Sequence, residues 1–170
     1  VNRDRFQPSG ECDIASRLAL LKSRGGNDQV NIPAVRHISG LAEQLLREAS
    51  ATIVEPSSED GAIRISGLPA EQRLQLAILA AFPDRVAKRR QHGSVRGAMV
   101  GGKGVQLARQ SGVKKSECFS CLDLDAKGAE ASVRIASGVD PSWLTGPNRR
   151  QVVERFFNPT MAAVVSRSRD

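Results

Sequence analysis

The stretch Ala81-Phe82-Pro83-Asp84-Arg85-Val86-Ala87-Lys88-Arg89-Arg90, carried on to Gly101-Gly102-Lys103-Gly104, decides how this chain is read, because the apolar period changes across it. Before it, apolar residues recur three and four apart; beyond Gly93 they alternate. Pro83 disfavours helical geometry at Phe82 yet suits the first turn of a new helix, so the expectation is a bend followed by a short helix over residues 84–91. On that helix Arg85, Lys88 and Arg89 share one face. Residues 82–115 hold nine basic side chains against one acid, Asp84, a local charge of +8 in a chain whose total is +7. A cluster of that size suits a polyanion such as nucleic acid backbone. A solvated face that maintains solubility explains it equally well.

Working outward toward the N-terminus, residues 11–24 carry Ile14, Leu18 and Leu21 at helical spacing, with Gly25-Gly26 as a stop. Asn31 is a capping residue with Pro33 just inside the first turn, and the helix it opens places Val35, Ile38, Ala42, Leu45 and Ala49 on one stripe, expected to be buried. Residues 55–61 read as a polar loop, with Ile63 and Ile65 as a short extended piece. Leu68-Pro69 start a third helix whose apolar set is Leu74, Ala77, Ile78 and Ala81. The three helices are expected to pack as a small bundle.

In the other direction, residues 95–99 and 105–107 read as strands joined by a glycine hairpin, residues 118–125 as a third strand and residues 129–136 as a fourth, with Val133 and Ile135 inward and Arg134 outward. Asp140-Pro141 opens a short helix. Residues 151–157 and 161–166 form two more strands around Asn158-Pro159. The resulting class is α+β, a small helical bundle followed by an OB-fold-like β-barrel, divided as helical residues 1–81, a basic linker helix over 82–92 and a β domain over 93–170.

Composition narrows the chemistry. The 170 residues are 40% hydrophobic and 25% charged, an ordinary globular balance, but only 4% aromatic with no Tyr, which disfavours base reading through several stacking platforms. Backbone-directed binding fits better. There is no apolar run long enough for a membrane span and no signal-like start, so the expected location is cytoplasmic; with three Cys the thiols are expected reduced. The first residue is Val, and the chain reads as part of something longer.

Three motifs fall short of a catalytic or metal site. Gly97, Gly102 and Lys103 approach a phosphate-binding P-loop, but Gly104 stands where a Ser or Thr hydroxyl must hold magnesium, and no helix follows. Cys118 and Cys121 have the gap of a zinc knuckle; with only Cys12, His37 and His92 to complete four ligands, buried thiols are the expectation. Asp123 and Asp125 share a strand face, which for two carboxylates alone means solvent-facing positions rather than an ion site. No catalytic residue and no metal ligand is assigned.

The segment from Ala81 to Arg90, then Gly102-Lys103-Gly104-Val105-Gln106-Leu107, Leu122-Asp123-Leu124-Asp125-Ala126 and Arg134-Ile135-Ala136 together resemble the C-terminal part of bacterial HrpB-type DEAH-box ATP-dependent helicases. Residues 55–67 and 111–116 have no counterpart in that pattern. The resemblance implies a helical helicase-associated domain and an oligonucleotide-binding barrel that follow two motor domains, with ATP and magnesium held by those motors and no cofactor in this segment. The segment alone is expected to be inactive. The implied partners are single-stranded nucleic acid, RNA in preference, and the motor domains of the same parent chain, with no membrane. Arg85, Lys88, Arg89, Arg90, Arg96, Lys103 and Arg109 are the expected phosphate contacts. The competing expectation is a protein-interaction module facing the motor domains or an acidic partner.

Overall fold

The computed structural model describes residues 8–22, 31–52, 67–126, 128–144 and 152–169. Gly25-Gly26, the loop over 55–61, Ile63, Ile65 and Lys127 lie outside the described residues. Three helices come first, α1 (Asp13–Lys22), α2 (Ile32–Thr52) and α3 (Ala70–Ala81). A single 3₁₀ turn, Pro83–Arg85, leads into β1 (Val86–Arg89), followed by β2 (Arg96–Met99), β3 (Gly104–Leu107), β4 (Cys118–Asp125) and β5 (Ala131–Val139). A second 3₁₀ turn, Pro141–Trp143, precedes β6 (Val152–Asn158) and β7 (Ala163–Arg169).

Strands β1 to β5 close into a barrel in the order β1-β2-β3-β5-β4, with β4 returning to β1. All its pairs are antiparallel except β3 with β5, and this is the strand order of an oligonucleotide-binding barrel. The α+β reading of a helical region followed by such a barrel therefore holds. Its extent differs at both ends. The expected linker helix over residues 84–91 is the 3₁₀ turn plus strand β1, because Ala87 and Arg89 point inward while Lys88 and Arg90 stay exposed, an alternation only an extended backbone produces. Beyond β5, β6 and β7 do not join the barrel; they pair only with each other as an antiparallel hairpin. The chain divides into two compact units, Val1–Asp140 and Pro141–Asp170.

The barrel interior is apolar. Phe119 is fully buried at its centre, and Val105, Leu107, Val113, Cys121, Ala131, Val133 and Ala136 surround it. Val133 points inward and Arg134 outward as the alternation predicts, whereas Ile135 is only half-buried. A bulge after Cys121 shifts the register with β5, so Leu124 turns toward the core and Asp123 meets Arg134.

The helices use other faces than their apolar period suggests. Asn31 caps α2 as expected, its Oδ1 accepting from the Ala34 amide at 3.0 Å. Yet Ile38, Leu41, Leu45 and Leu46 of α2 are all exposed, so its stripe is not the buried one expected. α3 buries Gln75, Leu76, Ile78 and Leu79, sharing only Ile78 with the predicted set. Both α1 and α3 lie against β5, so helix-to-barrel contact replaces the expected bundle of three. In α1 the buried residues are Asp13 and Ser16, while Leu18 is exposed.

That inversion has a physical cause in the loop 111–116. The Asp13 carboxylate accepts from the Ser111 hydroxyl at 2.8 Å, the Gly112 amide at 2.7 Å and the Ala136 amide at 2.9 Å. Glu11 accepts from the Lys114, Lys115 and Ser116 amides and from the Ser116 hydroxyl. A buried carboxylate persists only with such a complement of donors, so the polar edge of α1 is what docks it to the barrel.

Candidate nucleic-acid interface

Strands β1, β2 and β3 present one outward face. Their register sets Lys88 beside Ala98 and Ala98 beside Gly104; one row further on, Arg96 lies beside Gln106. The Arg90 amide donates to the Arg96 carbonyl at 3.0 Å, which places Arg90 in that second row. Lys88, Arg90, Arg96, Ala98 and Gln106 are all exposed. Between the two ends of this face run the turn before β3 and the turn after it. Gly101 and Gly102, both with φ near +85°, form the first turn and carry Lys103; Arg109 follows β3 in the second. Lys103 and Arg109 are exposed.

Five of the seven expected cations thus sit on or at the rim of one surface. Two do not. Arg85 ends the 3₁₀ turn before β1 rather than lying in the strand, and its guanidinium lies over the Phe82 ring at 5.1 Å. Arg89, expected to be exposed, is 6% exposed and points into the barrel wall. Its Nε donates to the Ser116 carbonyl at 2.7 Å, Nη2 to the Val113 carbonyl at 2.9 Å and Nη1 to the Ser94 carbonyl, with the guanidinium over the Phe119 ring at 5.4 Å. Burial lowers its pKa and the Glu11 charge opposes that shift. With three of its five N–H groups engaged and the side chain buried, Arg89 is not presented to a phosphate.

Ion pairs shape what remains. Lys88 Nζ lies 3.4 Å from Glu117 Oε1, both side chains more than half exposed. Arg90 Nη2 and Arg96 Nε lie 3.4 and 3.3 Å from the two carboxylate oxygens of Glu130, in the β4–β5 connection. Sequence reasoning missed Glu130. It joins the arginines only through the parallel pairing of β3 with β5, a contact no local pattern signals. Lys114 Nζ donates to the Arg109 carbonyl at 2.9 Å.

The three motifs set aside above have structural roles. Gly97 and residues 101–104 form β2, a hairpin turn and the start of β3. Cys118 and Cys121 are buried in β4, and burial pushes the Cys121 thiol up to about 12 against a small opposing pull from Arg85. Asp123 is held by Arg134, whose Nε and Nη2 donate to its two oxygens at 3.1 and 2.9 Å. Among the described residues no helix is long and apolar enough to cross a membrane.

No protein-family model matches the sequence, and no curated protein does. Among solved structures, the DExH-box NTPase HrpB of E. coli superimposes on 91% of this chain with a TM-score of 0.51 at 18% identity. The matched part is 18% of that longer protein. The chain therefore shares the fold of one segment of that DExH-box NTPase, in line with the resemblance drawn from residues 81–136.

Proposed function

We propose that this chain is the accessory region of an HrpB-type ATP-dependent helicase, and that its barrel holds the backbone of single-stranded nucleic acid, RNA in preference, beside the motor domains. The observation that carries the reading is the outward face of β1–β3: Lys88, Arg90 and Arg96 project from a barrel whose strand order is the one that uses this face for oligonucleotides. Lys103 and Arg109 extend it at the two ends of β3. No aromatic side chain is in β2 or β3, so recognition runs through phosphate and is nearly blind to sequence. ATP and magnesium belong to motor domains outside these 170 residues, and the segment turns over no ATP by itself.

Titration of a fluorescent single-stranded RNA at several salt concentrations tests the reading. Five cations acting together give a slope of log affinity against log salt of about −3.5. A flat salt response, or no binding at low salt, rejects it. A second reading has its own observation: α2 exposes Ile38, Leu41, Leu45 and Leu46 on a 21-residue helix, a surface suited to protein contact with the motor domains. Capture of separately expressed motor domains by wild type, but not by a chain with Leu41→Lys and Leu45→Lys, would favour it.

A further inference from the structure

Glu130 stands between two arginines of the proposed face, with one carboxylate oxygen turned toward each. Its side chain is 25% exposed, whereas those of Arg90 and Arg96 are 57% and 60% exposed. The position of a Cβ built on Gly104 lies 3.1 Å from Glu130 Cγ and 3.4 Å from Arg90 Nη2. Any larger residue at 104 would crowd both groups, so the bare backbone of β3 is what lets acid and arginine meet above it.

We propose that Glu130 is a built-in competitor for phosphate: its carboxylate occupies, between Arg90 and Arg96, the place that a backbone phosphate of a bound single strand takes. The inference rests on the nucleic-acid reading of this face and adds its regulation. Two guanidinium groups sharing the two oxygens of one carboxylate offer the donor arrangement that also takes two phosphate oxygens. The distances of 3.3 and 3.4 Å exceed the 2.7 to 2.9 Å of close charge-assisted bonds, and the arginines are largely in water, so the pairs stabilise the fold little and are readily exchanged. Glu130 also belongs to the β4–β5 connection, one of the two loops that flank the binding face in barrels of this order. With the carboxylate in place the pair nets one positive charge; with it turned away, two.

The test is fluorescence anisotropy with a labelled oligouridine of about twelve nucleotides, a length one such barrel spans. The proteins are wild type, Glu130→Gln, and Glu43→Gln as a control that removes one charge from exposed α2. Each is also made with Arg90→Ala and Arg96→Ala together, and thermal unfolding by circular dichroism verifies the fold of every variant. Glu130→Gln should tighten binding about threefold to tenfold, as release of two exposed ion pairs allows. Glu43→Gln should change it less than about twofold, and the gain from Glu130→Gln should vanish without the arginines. Binding by Glu130→Gln at a salt concentration where wild type, which binds at low salt, has already let go supports the inference in its strongest form. If wild type binds and Glu130→Gln equals the control, or if the gain survives loss of both arginines, the inference is overturned while the proposed function stands. If no variant binds, both are overturned.

Discussion

Two regions of the barrel use charge in opposite ways. Around the loop 111–116, charged side chains face protein: Glu11 and Asp13 collect its amide and hydroxyl hydrogens, while Arg89 donates to the carbonyls of Val113 and Ser116. On the outward face of β1–β3, Lys88, Arg90 and Arg96 face solvent, Lys88 paired with Glu117 and the two arginines sharing Glu130. Arg89 and Arg90 are adjacent in sequence and fall on opposite sides of this division. Charge count alone therefore says little about availability; the strand alternation decides which arginine is structure and which is surface.

The largest effect should come from the buried acid. Asp13→Ala strands three buried donors and is expected to destabilise the chain by about 3 to 5 kcal/mol in urea denaturation. A loss below about 1 kcal/mol would mean that the loop is not anchored through α1. Next comes Arg89→Met, which leaves the carbonyls of Ser94, Val113 and Ser116 without their donor and should cost about 2 to 4 kcal/mol; Arg89→Lys should recover only part, because an ammonium cannot reach three acceptors as a planar fork does. A neutral result there would return Arg89 to the binding surface.

A smaller change is expected at Glu11. Partial burial raises its pKa, but the Ser116, Lys115 and Lys114 donors outweigh that and hold it below its ordinary 4.5. A carboxyl depressed in the folded state contributes stability above its unfolded pKa and loses it as pH falls through the folded one. Wild-type unfolding midpoints should therefore drop on acidification below about pH 4.5, and Glu11→Gln, about 1 kcal/mol less stable at pH 7, should drop less steeply. Parallel curves would remove Glu11 from the acid response. Least of all for the fold, Arg96→Ala should shift stability by under about 0.5 kcal/mol, yet it should lower the salt slope of RNA binding by about 0.7. Unfolding comparable to Arg89→Met would erase the contrast between the two regions.

Much of this architecture is visible in the residues themselves. The cap at Asn31 and the glycine turn at 101–102 carry local signals, and each corresponds to an observed feature, whereas the change of period read after Gly93 comes too late, because the first strand already starts at Val86. Arg85, Lys88 and Arg89 misled because spacing of three and four suits a helix, whereas β1 is held by partners at residues 97–99 and 118–120. Nor does composition reveal that α1 docks by Asp13 rather than by Leu18, since the donors arrive from residues 111, 112 and 136. Glu130 was illegible for the same reason. Its significance depends on β3 and β5 lying side by side, and the intervening β4 hides that from any reading along the chain.

The position of β5 carries a consequence for how this chain comes off the ribosome. β5 pairs with both β3 and β4, and it is the strand on which α1 and α3 rest. Until residues 131–139 have emerged, the helices lack their support and the sheet cannot close. Folding of this segment should therefore be late, slow and all at once, with its helices exposed to chaperones and proteases until that strand emerges.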